Sequence, residues 1–108
     1  MVKPVAGEIV VIPFPRRDGG MHRPALVIAD LPGADLILCQ ITSRAHFDGF
    51  SVPLDSSDCE RGQLDQPCFI RPQRLFSLEH HIILHSVGKV TEAKLEEVLK
   101  RAREFFID

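Results

Sequence analysis

Two groups of side chains in the first half of the chain have the types and the spacing to hold a phosphodiester. The first group is cationic and surrounds the polar insert between two apolar segments; it consists of Arg16, Arg17, His22 and Arg23. Because proline favours extended geometry in the residue before it, Arg23, which precedes Pro24, is predicted to open a buried strand. Its guanidinium should then point back toward the turn and water, where it can donate paired hydrogen bonds to phosphate oxygens.

The second group is the segment QITSRAH, which closes the third apolar segment. Thr42 and Ser43 carry hydroxyl groups that can hydrogen-bond a phosphate, and Arg44 adds positive charge. His46 adds an imidazole, a group that can exchange protons near neutral pH. The segment ends where its strand should return beside the start of the strand that Arg23 opens, so we expect the two groups to meet.

Each group also has an alternative role in the fold. Arg23 could pair with Asp18 or with a carbonyl at the strand end, and Thr42 and Ser43 could be a strand threonine followed by a loop-starting serine. Five phenylalanines could stack on nucleobases, although such residues more often pack in the core: Phe14, Phe47, Phe50, Phe69 and Phe76.

The elements that would position these groups are short and mostly β-branched. EIVVIPF, PALVIAD and ADLILCQIT predict three consecutive strands, joined by the turn residues of RRDGG and LPG, which is typical of an antiparallel meander. FSVPL, CFIRPQRLF and IILHSVGKV predict further strands, with breaks at Pro72 and Gly88, whereas DSSDCERGQLDQ is typical of a polar loop.

The last segment changes from a strand period to a helix period. Its apolar residues fall on one helical face, at Leu95, Val98, Leu99, Ala102, Phe105 and Phe106. Thr91 is a suitable N-cap, and Val90 can pack against Leu95. The chain is therefore predicted to be mainly β (β-rich α+β), with a strongly curved antiparallel sheet or small barrel closed by one C-terminal amphipathic helix.

Length and composition predict one globular domain over residues 1–108 in a reducing compartment. The chain is 44% hydrophobic, and its three cysteines, Cys39, Cys59 and Cys68, are an odd number without Cys-x-x-Cys spacing. This pattern argues against a disulfide framework or a zinc site. The histidines lack metal-ligand spacing, so no metal is expected. We also expect a cytoplasmic protein, because we find neither a signal peptide nor an apolar run near the roughly 20 residues of a membrane helix.

The net charge of −2 gives by itself no support to a nucleic-acid partner. The charges are unevenly distributed, however, with arginines clustered in the first half and acids gathered around residues 55–65 and in the C-terminal segment. A binding surface depends on this local charge rather than on the sum.

The order of these motifs resembles the PemK/MazF family of toxin endoribonucleases over nearly the whole chain. The resemblance lies in GEIVVIPFP, RPALVIAD, QITSR and LDQPCFIRPQRLFSLE, followed by a closing helix after VGKVTEAKL. It implies an SH3-like barrel, a homodimer and metal-independent cleavage of single-stranded RNA without a cofactor. It also implies a cognate antitoxin that neutralises the toxin.

The same resemblance assigns roles to individual residues. The arginine of the Arg-Pro element and the hydroxyl residue of the Thr-Ser element form the catalytic pair, here Arg23 and Thr42, with the 2′-hydroxyl of RNA as nucleophile. Some members carry another arginine and an acid in a later strand, for which Arg71, Arg74 and Glu79 are the candidates. The base that removes the 2′-proton is left open between His22 and His46. The remaining cationic and hydroxyl candidates would bind RNA: Arg16, Arg17, His22, Ser43, Arg44, His46, Arg71 and Arg74.

Two alternatives come from other functional classes. A gyrase poison of the CcdB type shares this architecture, but it relies on an aromatic C-terminal segment near a tryptophan, and this chain contains no tryptophan. The other alternative is a non-catalytic barrel that binds RNA or a protein tail. Measuring RNA binding, RNA cleavage and gyrase-dependent DNA breaks would separate the three.

Overall fold

The computed structural model describes residues 2–14, 20–45 and 48–106, which form a curled antiparallel sheet and a C-terminal helix. The strands are β1 (Glu8–Phe14), β2 (Met21–Asp30), β3 (Asp35–Thr42), β4 (Val52–Leu54), β5 (Cys59–Gly62), β6 (Cys68–Glu79) and β7 (His85–Val90), and the helix is α1 (Glu92–Arg103). Their order in the sheet is β4-β6-β3-β2-β1-β7-β5, and every neighbouring pair is antiparallel. The predicted fold class and the β1–β2–β3 meander are confirmed.

The sheet carries an apolar layer on each face because side chains alternate along its strands. The layer beneath α1, the helix-side core, packs Val98 of the helix against residues of several strands, among them Ile9, Leu26, Ile41 and Ile70. The other layer, the opposite core, consists of Val10, Ile12, Ala25, Val27, Leu36, Leu38 and Ile83. Burial on both faces explains why β1, β2 and β3 read as nearly continuous apolar runs.

A bulge in β6 shapes one end of the sheet. Gln40 of β3 pairs with Arg71, whereas its neighbour Cys39 pairs with Leu75, so residues 72–74 stand outside the ladder. These residues begin with a proline, which has no N–H to donate to a ladder and is therefore suited to a bulge. The prediction that this proline breaks the strand is wrong: β6 runs through it.

The polar segment predicted as a loop contains a short strand. β5 pairs with β7 at the edge of the sheet, after a 3₁₀ turn at Ser56–Asp58. Gly88 does not break β7; it lies opposite Gly62, where the two backbones approach closely. A Cβ on Gly62 would lie 2.2 Å from the carbonyl oxygen of Val87, so only glycine fits at this position.

The helix begins and packs as predicted, but its apolar face ends earlier than predicted, because α1 stops at Arg103. The side chain of Thr91 accepts a hydrogen bond from the Lys94 N–H, which caps the first turn. Leu95 packs on the helix-side core, and Ala102 is buried. A 3₁₀ turn at Glu104–Phe106 then carries Phe106 away from the sheet, where it is 77% exposed. In the described part of the chain, no helix is long and apolar enough to cross a membrane.

Candidate functional site

Strand register brings Arg23 of the first group and Thr42 of the second group together. Ala25 of β2 lies opposite Gln40 of β3. Residues two positions apart on a strand share a face, so Arg23 and Thr42 reach the same face at the same end of the sheet. Both side chains line one cavity of about 570 Å³, which we call the polar cavity.

A second cavity of about 630 Å³ adjoins the polar cavity. It is lined mainly by apolar side chains, including Phe14, Leu75 and Phe76, and we call it the apolar cavity. Four residues line both cavities and therefore form the wall between them: Arg23, Pro24, Gln40 and Arg71. The wall thus contains two guanidinium groups.

The half-buried Arg23 side chain lies at the hairpin end of β1 and β2, against Phe14 and Met21. Its Cζ lies 5.0 Å from the ring centroid of Phe14, and Nη2 contacts the sulfur of Met21 at 3.7 Å. A guanidinium is attracted to the face of an aromatic ring, which explains why the side chain folds back over β1. Nε is buried without a hydrogen-bond partner, and no acid pairs with Arg23 among the described residues. Asp18, the alternative partner of Arg23, lies outside the described residues.

The end of β3 forms a turn that fixes the Thr42 hydroxyl. Its Oγ1 accepts a hydrogen bond of 3.1 Å from the Arg44 N–H. A hydroxyl that accepts in this way still has its own O–H to donate. Ser43 and Arg44 are exposed beside it and line the polar cavity.

Arg71 is held by Asp48, a residue that sequence reasoning did not single out. Its Nη2 lies 3.3 Å from Asp48 Oδ2, while its Nε is buried without a hydrogen-bond partner in the described structure. The hydrogen bond from the Phe50 N–H is the main cause that lowers the pKa of Asp48 to about 2, with Arg71 contributing, so the carboxylate is charged at neutral pH. An Asp-Gly pair such as that at 48–49 is typical of a turn, but nothing in the sequence indicates that Arg71 is the partner of Asp48.

The remaining predicted residues divide between the two cavities. His22 lines the polar cavity, and Arg74 lines the apolar cavity. Arg16, Arg17 and His46 lie outside the described residues. The structure also adds Gln40 and Gln66 to the lining of the polar cavity.

Glu79, the acidic candidate, does not belong to this site. It is at the far end of β6, opposite Asp35, and pairs with His81 at 3.0 Å. β6 is twelve residues long and Glu79 ends it, eight positions after Arg71, so Glu79 is remote from Arg71 along the strand. Within residues 2–14, 20–45 and 48–106, no three histidine, cysteine or acidic side chains converge on a possible metal site.

Comparisons with known proteins give one family and a set of similar folds. The model of the family described as "PemK-like, MazF-like toxin of type II toxin-antitoxin system" matches residues 6–106. No curated protein sequence matches the chain.

Three solved structures illustrate the similarity of fold. A chain in a crystal structure of MazE–MazF from Deinococcus radiodurans has a TM-score of 0.79 at 24% identity, with 95% of each chain covered. An endoribonuclease in complex with its cognate antitoxin, from a mycobacterial species, has a TM-score of 0.74 at 15% identity, covering 95% of this chain and 94% of that one. The Mycobacterium tuberculosis toxin MazF-mt6 has a TM-score of 0.69 at 18% identity, covering 94% and 98%.

Proposed function

We propose that this chain, which belongs to the family of PemK-like, MazF-like toxins of type II toxin–antitoxin systems, is an endoribonuclease that cleaves single-stranded RNA. The observation that carries the proposal is that Arg23 and Thr42 line the same cavity, with the Nε of Arg23 unpartnered in the described structure. A cationic donor and a hydroxyl donor at one place can hold a phosphodiester from two sides.

The reaction uses the RNA itself as nucleophile. The 2′-oxygen attacks the adjacent phosphorus and gives up its proton to a base, while the bond from phosphorus to the 5′-oxygen breaks and that oxygen takes up a proton. The products are a 2′,3′-cyclic phosphate and a 5′-hydroxyl. Negative charge gathers on the phosphoryl oxygens in the transition state, and a fixed guanidinium stabilises it without a metal ion.

The described residues divide these tasks. Arg23 is the electrostatic catalyst, and Thr42 orients a phosphoryl oxygen through its O–H. His22 lines the polar cavity and is the candidate for the base in the described structure. Ser43, Arg44, Arg71 and Arg74 supply further contacts to the RNA, and Arg16, Arg17 and His46 remain candidates from the sequence.

The apolar cavity offers a place for an unpaired base. Phe14 lines this cavity and is exposed, and the Arg23 guanidinium lies over its ring. Single-stranded RNA can turn its bases outward onto such surfaces, whereas a duplex keeps them stacked. This supports single-stranded RNA as the substrate.

Further parts of the proposal concern partners and location. We infer that the chain acts as one domain and as a homodimer in the cytoplasm, and that a cognate antitoxin neutralises it. The family supports the antitoxin. Exposed apolar side chains near the cavities, such as Phe14 and Leu75, support an interface, and three free cysteines suit a reducing compartment.

Cleavage of defined RNA oligonucleotides by the purified protein tests the proposal. We expect Arg23→Ala to lower the rate by about 10² to 10³-fold, the typical loss of one preorganised donor. Arg103→Ala is the matched control, because that arginine is exposed on α1 and pairs only with Glu96 within the described residues. A substrate with a single 2′-deoxynucleotide at the cleaved position should resist cleavage, because it lacks the 2′-hydroxyl nucleophile.

Two results would contradict the proposal. One is wild-type activity in Arg23→Ala, and the other is cleavage of the 2′-deoxy substrate at the normal rate. A wild-type protein that binds RNA without cutting it would instead favour the non-catalytic alternative.

A further inference from the structure

We propose that Asp48, in the loop after β3, is a positioning residue that holds Arg71 in the wall between the two cavities for contact with RNA. The inference rests on the proposed function and extends it to a residue outside both cavity linings. Asp48 would act on RNA through Arg71.

The two oxygens of Asp48 have separate partners. Oδ1 accepts hydrogen bonds from the Phe50 and Ser51 N–H groups at 2.9 and 3.2 Å, which closes the turn. Oδ2 lies 3.3 Å from Arg71 Nη2 and accepts from Gln73 Nε2 at 3.0 Å. Oδ1 therefore closes the loop, and Oδ2 holds Gln73 in the β6 bulge and Arg71 just before it.

The loop itself is fixed from the helix. Arg101 Nη1 donates a 2.8 Å hydrogen bond to the Gly49 carbonyl. The rings of Phe50 and Phe105 meet edge to face, with centroids 4.8 Å apart. Asp48 consequently sits on an anchored turn, which is what a positioning group requires.

Arg71 depends on this contact because it is largely buried. Its side chain is 12% exposed, and burying a guanidinium is costly unless it is paired. The bond from Nη2 to Asp48 is the one hydrogen bond that the Arg71 side chain makes with the described residues, and Nε is buried without a partner among them. A guanidinium held along one edge in this way can offer the rest to a phosphate or a base.

The bulge makes the arrangement sensitive to Asp48. Arg71 is the last residue paired with β3 before residues 72–74 leave the ladder, and Gln73 lies among those unpaired residues. Among the described residues no strand pairs with residues 72–74, so the Asp48 carboxylate supplies a contact that the described ladders do not. Losing it should let Arg71 turn toward solvent.

Asp48→Asn separates the two roles of the carboxylate. Asparagine keeps Oδ1 for the turn but replaces Oδ2 by an NH₂ group, which presents donors to the guanidinium of Arg71, a group that can only donate. We expect KM for RNA to rise about tenfold, as for the loss of one charge-assisted contact, while kcat stays within about twofold. Asp35→Asn, at the exposed far end of β3, is the control and should leave both constants unchanged.

A double-mutant cycle tests whether Asp48 acts through Arg71. Arg71→Gln should raise KM by a similar factor, and adding Asp48→Asn to it should cause little further loss. Additive losses would overturn the positioning role, as would an Asp48→Asn protein with wild-type KM. A fall in kcat with unchanged KM would also overturn it.

These results remain distinct from a failure of the proposed function. If the wild-type protein and all variants leave RNA intact and unbound, both proposals fail together. If the wild-type protein cleaves RNA and Arg23→Ala does not, but Asp48→Asn behaves as wild type, only the positioning role fails. Carboxyl NMR titration adds a readout without RNA: Arg71→Gln should raise the pKa of Asp48 from its value of about 2, and an unchanged pKa would overturn the contact.

Discussion

The two faces of β3 show how one strand serves both the fold and the site. Cys39 and Ile41 are 0% and 1% exposed and face the helix-side core. Gln40 and Thr42, which alternate with them, face the polar cavity. The packed face fixes the backbone, so the polar face can hold its groups in place without an apolar layer over them.

A second contrast lies along the same face. Leu36 and Leu38 belong to the opposite core and are fully buried, whereas Gln40 and Thr42 line a cavity. The change falls at the register slip between Cys39 and Gln40, where the β6 bulge begins. The bulge therefore marks where packing ends and the site starts.

Truncating the packed face should give the largest effect on stability. Ile41→Ala leaves a cavity in the helix-side core and should lower the free energy of unfolding by about 2–5 kcal/mol. Urea unfolding measures it, with Ile41→Val as the milder comparison at about 0.5–1.5 kcal/mol. Ile41 also lines the polar cavity, but it brings no polar side-chain group there, so for the folded fraction kcat should fall far less than in Thr42→Ala. A large fall in kcat at full folding would break the division between the faces.

Truncating the neighbouring residue should reverse this pattern. Thr42→Ala removes the hydroxyl that we assign to the phosphoryl oxygen, and we expect kcat to fall at least about tenfold. It also removes the acceptor of the Arg44 N–H, so unfolding should become easier by about 1 kcal/mol. Thr42→Ser, which keeps the hydroxyl, should restore most of the activity. If Thr42→Ala cleaves RNA at the wild-type rate, its catalytic assignment is wrong.

The two faces also differ in how far the sequence could predict them. Short apolar runs rich in β-branched residues, together with turn residues, were enough for the three-strand meander, and the capping threonine and helical period were enough for α1. Arg23 and Thr42 were singled out because the sequence placed each near a strand end, a local feature, and the resemblance to the family assigned them the catalytic roles. Arg23 was expected to open its strand, but β2 begins two residues earlier, at Met21. Their common cavity was expected only from the meander order.

The rest depended on contacts between distant segments. Asp48 meets Arg71 across 23 positions of sequence, and neither residue type signals the other. The strand β5 was missed because its residues are polar and lie at a sheet edge, where alternation is weak. The sequence placed Phe106 on the apolar face of the helix because this residue fits the helical period. That period carries no information on the 3₁₀ turn that follows Arg103.

A third prediction concerns the contribution of the Arg74 charge to RNA binding. Arg74 is exposed in the β6 bulge and lines the apolar cavity. If it contacts an RNA phosphate, Arg74→Gln should reduce the slope of log Kd against log salt by about 0.7, the value for one contact with a single strand. Arg61→Gln, on β5 at the opposite edge, is the matched control and should leave the slope unchanged. Equal slopes for the wild type, Arg74→Gln and Arg61→Gln would show that Arg74 does not contact an RNA phosphate.

The smallest expected effect tests whether the negative charge of the Asp48 carboxylate stabilises the loop after β3. The pKa of Asp48 is lowered to about 2, first by the Phe50 N–H and also by Arg71. Because the folded state favours the carboxylate, its contribution to stability is complete above the ordinary aspartate pKa of about 3.9 and disappears as the pH falls toward 2. The stability advantage of wild type over Asp48→Asn should therefore be constant from pH 7 to about 5 and shrink between about pH 4 and 2. Urea midpoints across this range measure the difference, and a gap that stays constant to pH 2 would show that charge does not hold this loop.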